Sequence, residues 1–445
     1  MTMRMKWFIT GACFLSLMLI AGNLRHDYSQ SSGHSTTQIE VAAQGTTNHP
    51  NRAPVWAFLN NRLFLLWRGR AVDKGLPRAK YLYGNYSIPF GYALKTADGW
   101  KMDSRSFEVP IGESTALDYC AVNGGLAPLF ITQRFYDRRY GTDACIRHIQ
   151  ADAENKITIS SKPLSILPFD SRDPEYLRLL ALYAKQSQED AAKTGHKAVF
   201  VNDKEAEKTI VPGDIAIDPE RVPIKADFSR FSAVRTDKGA IWLTGIDLVL
   251  AGAGMPQKYM WVIASDDGGK SWGARNMIGR GNFPQIIALP EELQVYYVAV
   301  NQYGSLRQWS DDAYLKNDPY SRNWPWRDAL MMVRSNDDGK TWSAPKKVLD
   351  DKKIIQCRAC VAPDGKIWMV YVQSNPDPEK RRTSLWLTSS SDNGSTWAKP
   401  SPLTDGKYLD REPDITYQDG KILIAFSRAG RGITTNICTT EIDAS

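Results

Sequence analysis

Five positions in this 445-residue chain stand ten residues ahead of the end of a turn: Arg52 before Arg62, Arg230 before Ala240, Pro284 before Gln294, Gln356 before Lys366 and Arg411 before Lys421. Gln285 adjoins Pro284. Arg358 lies two residues past Gln356, hence on the same face of a strand. A guanidinium matches a carboxylate with two parallel hydrogen bonds, each charge-assisted bond contributing about 1.5–3 kcal/mol. Three or four arginines around one hollow repel one another unless an anion or nearby carboxylates compensate. The chemistry is therefore either recognition of an acidic ligand or local pairing, for example of Arg411 with Asp410 or Glu412.

The elements that hold these residues are repeated. Ser265-x-Asp267-x-Gly269-x-Ser271-Trp272, Ser335-x-Asp337-x-Gly339-x-Thr341-Trp342 and Ser390-x-Asp392-x-Gly394-x-Thr396-Trp397 share one box. An Asp accepting from turn N–H groups, a Gly free to take positive φ and a Trp that packs backwards make a tight turn. An apolar run precedes each box, so each box joins two strands. A second repeat, a turn feeding an apolar strand, recurs as Asp364-Gly365-Lys366-Ile367, Asp419-Gly420-Lys421-Ile422, Lys238-Gly239-Ala240-Ile241 and Asn60-Asn61-Arg62-Leu63. Units of about 40 to 70 residues built this way imply a β-propeller.

The expected fold is all-β: a six-bladed β-propeller over 52–445, with blades at about 52–112, 113–167, 228–279, 280–350, 351–405 and 406–445. The last blade lacks its outer strand, which a segment near the N-terminus is expected to supply. Leu177, Leu179, Leu180 and Leu182 among polar residues read as an amphipathic helix, an insertion at about 170–200 between blades two and three. In a propeller the first strand of each blade lines the central channel, so the arginines face a shared axial hollow.

The boxes resemble the Asp-box of the sialidase, or BNR-repeat, superfamily. Arg52-Ala53-Pro54 is similar to that family's Arg-Ile-Pro motif, whose arginine opens a carboxylate-gripping triad. The strand through Leu66, with the loop after it, places Asp73 where the family carries its acid/base. The resemblance then weakens. Glu412 and Tyr408 are the candidates where the family has a nucleophilic Tyr, and Gln285 stands where it has the Glu that activates that Tyr. The resemblance implies catalysis by Asp73 with Glu412 or Tyr408, and substrate binding by Arg52, Arg230, Arg358, Arg411 and Gln285.

Two functions remain open. One is an exported glycoside hydrolase acting on a terminal acidic sugar of a glycan. The other is a non-catalytic propeller binding a glycan or a protein at the cell surface. A lyase on uronic-acid polymers is weaker, with His148 its only central base. Hydrophobic residues at 42% and charged residues at 24% exclude a polytopic membrane protein and a wholly disordered chain. The +7 net charge includes no Lys/Arg run able to track phosphates, so no nucleic-acid partner is expected. No cofactor or metal motif occurs, and a monomer is expected.

Arg4 and Lys6, the uncharged 7–22 and the small Ala21-Gly22 read as a signal peptide or signal anchor over 1–22. They predict a secreted, periplasmic or cell-surface protein whose only membrane contact is that anchor. Polar residues over 23–51 read as a disordered leader. Export permits disulfides, and Cys120–Cys145 is the pair that sequence proximity favours. Cys357-x-x-Cys360 has redox or zinc spacing, but no second pair or His cluster completes a metal site, so these cysteines read as structural.

Overall fold

The structure, a computed structural model, describes residues 38–44, 51–69, 87–96, 99–110, 119–122, 129–137, 141–159, 164–165, 198–202, 205–210, 226–249, 257–299, 329–349, 354–374, 382–429 and 435–444. Asp73, the 1–22 segment and 166–197, which carries the expected helix, lie outside them. Every described element is a strand.

The first strand is β1 (Ile39–Ala43). A four-stranded antiparallel sheet follows: β2 (Asn51–Leu59), β3 (Arg62–Gly69), β4 (Ser87–Thr96) and β5 (Gly99–Pro110). The next sheet has β6 (Tyr119–Val122), β7 (Leu129–Asp137) and β8 (Gly141–Ala151), with β9 (Ile157–Ile159) and β10 (Leu164–Ser165) both on β8. A separate hairpin holds β11 (Ala198–Asn202) and β12 (Glu205–Ile210). The third sheet is β13 (Ala226–Arg235), β14 (Ile241–Val249), β15 (Gln257–Ser265) and β16 (Asn276–Arg280). The fourth is β17 (Asn282–Leu289), β18 (Glu292–Val298), β19 (Leu330–Ser335) and β20 (Lys346–Leu349). Then come β21 (Ile354–Val361), β22 (Ile367–Ser374), β23 (Thr383–Ser390) and β24 (Ser401–Pro402). Last are β25 (Leu409–Gln418), β26 (Lys421–Ala429) and β27 (Thr435–Asp443). A single parallel pairing, Thr383 with Leu409, joins these last two groups.

The first strands of the six groups form a closed circuit. β2 touches β6, and contact passes through β13, β17, β21 and β25 back to β2. The second strands lie between neighbouring sheets and are covered on both faces. For this reason Ile367–Val372 of β22 is buried without a break, as is Ile422–Ser427 of β26. A strand buried on both faces reads as a continuous apolar run instead of an alternation. The core is accordingly split into layers. One packs Ile287, Tyr296 and Met332 against Cys357, Met369 and Tyr371; the next packs Val370, Val372 and Leu385 against Ile422, Ile424 and Phe426. Each such fully buried side chain contributes about 1.5–3 kcal/mol.

β1 pairs antiparallel with β27, from Ile39 opposite Thr440 to Ala43 opposite Ile437, and so supplies the outer strand that the last group lacks. This corrects the reading of 23–51 as leader: Ile39–Ala43 is a strand, and Asn51 already belongs to β2. The free edge of β27 supplies hydrogen-bond partners that local composition does not reveal, and Ala42 and Ala43 are buried there. Next to this seam, Trp100 Nε1 donates to Thr439 Oγ1 at 3.0 Å, Lys95 pairs with Glu441, and the Trp56 and Trp100 rings lie 5.4 Å apart.

The three boxes share one hydrogen-bond circuit. In the first, Ser265 Oγ donates to Asp267 Oδ1 at 2.8 Å, Ser271 N to the same oxygen at 2.9 Å and Ser271 Oγ to Oδ2 at 2.6 Å. Trp272 Nε1 closes the turn on the Gly269 carbonyl at 3.2 Å. These donors hold Asp267 far below the usual carboxylate range, and the matching hydroxyl and amide donors lower Asp337 and Asp392 to about 2. Each box glycine also abuts the second strand of the preceding sheet. A Cβ on Gly269 would lie 3.0 Å from Leu129 Cδ1, one on Gly339 2.1 Å from Trp242 Cη2, and one on Gly394 2.6 Å from the Tyr296 hydroxyl. The box is thus a turn and a wedge between sheets.

Cys120 is buried on β6, and the strand order corrects the Cys120–Cys145 pairing. Cys120 opposes Ile131 and Cys145 opposes Thr132, so β7 runs between the two. Two strand spacings, about 9.5 Å, exceed the roughly 7 Å Cα separation a disulfide tolerates.

Candidate functional site

The inner strands are not regular. Five carry one extra residue: between Arg52 and Val55, Ser229 and Ser232, Asn282 and Gln285, and Arg411 and Asp414 at one height, and between Ile354 and Gln356 two residues farther from the turn. Three of these bulges hold a non-glycine residue at positive φ directly before a proline: Ala53 (49°), Phe283 (53°) and Glu412 (53°). Proline has no N–H to lose at the interrupted ladder. A bulge also re-aims the side chains beside it, so the residues around it can turn toward the axis or the next strand.

On four of the five strands the side chain just past the bulge ties its strand to the next; on β2 that position is Val55. Ser232 Oγ accepts from Ile286 N at 3.1 Å, and Gln285 Nε2 donates to Ala359 O at 3.4 Å. Gln356 Oε1 accepts from Glu412 N at 2.7 Å, and Asp414 Oδ2 accepts from Trp56 N at 2.8 Å. Inner strands of adjacent sheets diverge too far for a backbone ladder, and this girdle of side-chain bonds takes its place. Glu412 adds a second tie to β2: its Oε2 accepts from Ala53 N at 3.0 Å and from Ser427 Oγ at 2.9 Å.

Inside the girdle is a cavity of about 1020 Å³, lined from all six inner strands, with Arg358, Gln285 and Asp414 among its polar walls. It continues to the turns at Lys238, Pro290 and Pro363. Asp414 is half-buried; burial pushes its carboxyl up to about 6, against the downward pull of the Arg358 guanidinium and the Trp56 amide. Arg358 makes one long bond, 3.4 Å, to the Cys357 carbonyl.

The expected site residues are distributed as follows. Arg358 and Gln285 line the cavity. Glu412 sits in the β25 bulge, bonded to the strand that carries Arg52, so the Arg52 and Arg411 segments are adjacent. Arg230 occupies the β13 bulge itself, one register position later than Arg52 and Arg411 occupy on their strands. Arg411 is buried. Tyr408 stands at the mouth of β25 with the Arg428 guanidinium 4.7 Å from its ring centre. Arg428 in turn makes a bidentate pair with the fully buried Asp410 at 2.7 and 2.8 Å. Burial makes ionising Asp410 costly and the two charge-assisted bonds offset it, while Asp410 holds Arg428 above its ordinary value. Cys357 and Cys360, three apart on β21, face opposite ways. Cys357 is sealed in the layer toward β17, its thiol pushed up to about 12 by burial, whereas Cys360 lines the cavity. They are not a redox pair.

Sequence reasoning missed Asp414. The available signal was Pro413-Asp414, which matches Pro284-Gln285: a polar side chain directly after the proline of an inner-strand bulge.

A closed circuit of inner strands around an axial cavity, with hairpins that carry the three boxes, is a β-propeller fold. Residues 331–441 match the family model for the BNR repeat-like domain. The fold is similar to that of Trypanosoma rangeli sialidase in complex with 2,3-difluorosialic acid, at 13% identity and TM-score 0.51, covering 88% of this chain and 54% of that one. This chain thus spans about half the length of the trypanosomal enzyme. Penicillium chrysogenum alpha-L-arabinanase complexed with arabinobiose is similar at 10% identity and TM-score 0.55, covering 93% and 99%. A Dyadobacter fermentans protein of unknown function is similar at 11% identity and TM-score 0.52, covering 91% and 99%. No curated protein matches by sequence.

Proposed function

We propose that this chain is an exported, six-bladed, sialidase-like glycoside hydrolase acting on a terminal acidic sugar of a glycan. The observation that carries the reading is the Arg358 guanidinium on an axial cavity of about 1020 Å³, a volume that accommodates sugar rings. Arg358 with Arg52, Arg230 and Arg411 supplies positive charge for the sugar carboxylate, and Asp73 supplies the proton for the leaving oxygen. Glu412 or Tyr408 stabilises the oxocarbenium-like centre. Export rests on the basic and apolar pattern of residues 1–22.

One observation favours a second reading, a non-catalytic propeller that holds a glycan. Glu412, expected in catalysis, and Gln285, expected in substrate binding, both bond to neighbouring strands. The test is turnover of fluorogenic sialosides and uronides by the wild type, Asp73→Asn and Glu412→Gln, with glycan-array binding in parallel. Hydrolysis that falls about 100-fold or more in Asp73→Asn supports the enzyme, that being the usual scale of general acid catalysis. Binding without turnover establishes the second reading, and neither binding nor turnover rejects both.

A further inference from the structure

Among the four side chains that tie their strands just past a bulge, one is not explained by its structural task. Serine at 232 and glutamine at 285 and 356 tie their strands with neutral groups. The fourth tie, to the Trp56 amide, needs only an acceptor, which Asn or Ser would also supply. A carboxyl there bears a desolvation cost that an amide or hydroxyl does not, and it stands beside a cation on the cavity wall.

Arg358 and Asp414 come from adjacent inner strands, and both line the cavity. No ion pair joins them among the described residues, although the guanidinium is close enough to pull on the carboxyl. The other groups around Asp414 leave this pair isolated. From β21 the neighbour is Cys360, whose thiol burial keeps neutral. From β26, Ser427 is taken by Glu412 and Arg428 by Asp410. On β25 itself, the Glu412 Oε2 is directed at Ala53 N and Ser427 Oγ. Across the cavity stand Gln285 of β17, Cys120 of β6 and Arg235 of β13, the last bonded to the Gly239 carbonyl at 3.5 Å. The charged side chains of Asp237, Lys238, Asp266, Glu291, Glu292, Asp338 and Lys340 line its far part toward the turns, and Arg358 is the charged group that acts on Asp414.

We propose that Arg358 and Asp414 form a proton-linked carboxylate subsite, in which a ligand carboxylate binds the Arg358 guanidinium while Asp414 takes up one proton from solvent and donates it as a hydrogen bond to the same carboxylate. This rests on the reading that the ligand is an acidic sugar, and it names how the acidic group is selected. A neutral sugar gives Asp414 no reason to take up a proton. An anion beside Asp414 raises the cost of its ionised form further. Since burial already lifts the carboxyl to about 6, uptake falls within the neutral range and binding tightens as pH falls.

The probes are free glucuronic acid and N-acetylneuraminic acid, with galactose as the neutral control, measured by isothermal titration calorimetry on the full chain. Titrations from pH 5 to 8 in buffers of different ionisation heat give both Kd and the protons taken up. The expected result for an acidic sugar is Kd weakening toward about tenfold per pH unit above pH 6–7, with uptake approaching one proton. Asp414→Asn keeps an N–H donor and an acceptor for Trp56, and binds independently of pH with no proton uptake. Asp414→Ser, patterned on Ser232, does the same and serves if the first variant folds poorly. Acidic sugars that bind with a flat Kd, or an Asp414→Asn variant that keeps the wild-type slope, overturn the subsite and leave the glycan reading intact. Absence of binding by any acidic sugar at every pH overturns that reading and this one together.

Discussion

Replacing Gly339 with alanine separates two roles of the box glycine. Gly339 sits at φ +72°, and an added Cβ would lie 2.1 Å from Cη2 of Trp242 on the preceding sheet. Positive φ costs an L-residue about 1–2 kcal/mol. Overpacking adds about 1–3 kcal/mol, because the indole and the turn must move apart. The sum is a loss of about 2–5 kcal/mol. Gly365 is the control: its φ is +83° and a Cβ there meets nothing within 4 Å, so Gly365→Ala loses only the first part, about 1–2 kcal/mol. The measurement is equilibrium urea unfolding followed by far-ultraviolet circular dichroism. A double-mutant cycle with Trp242→Leu should return the steric share while leaving the backbone share. If Gly339→Ala and Gly365→Ala destabilise equally, or if Trp242→Leu returns nothing, the boxes do not wedge successive sheets together.

Two further outcomes follow from the same geometry. Arg428→Met leaves the fully buried Asp410 carboxylate without its partner and should lower stability by about 3–5 kcal/mol, read from the urea midpoint; a loss under about 1 kcal/mol would show the pair to be dispensable. The box aspartates are more acidic folded than unfolded, so their contribution is present above about pH 4 and is lost as pH falls toward 2. The melting temperature of the wild type should therefore fall between pH 4 and 2, with a shallower fall in a variant carrying Asp267→Asn, Asp337→Asn and Asp392→Asn. Equal slopes would place the acid sensitivity elsewhere.

The boxes were legible because their chemistry is local: an Asp, a hydroxyl, a Gly and a Trp within eight residues complete the circuit seen at Asp267. Counting ten residues back from each turn also reached the bulges, since hairpin lengths are shared. It misplaced Arg230 by one register position because the extra residue of β13 follows Ser229. The girdle was hidden for a different reason. Gln356 meets Glu412 56 residues away and Asp414 meets Trp56 across 358, and no spacing rule spans such distances. Cys120 and Cys145 misled because nearness in sequence conceals an intervening strand. The outer strand of the last sheet was expected from the N-terminal region, but its position at Ile39–Ala43 depended on an edge that exists only after β27 has formed.

That pairing sets the order of assembly. Val41 finds its place opposite Cys438, so a ribosome must make nearly 400 further residues before the earliest described strand has its mate. Until then the nascent ring is a crescent with two raw rims, and quality control has a long interval in which to recognise it. Tension applied between the ends would load the β1–β27 ladder first, and that seam should be where the molecule unzips.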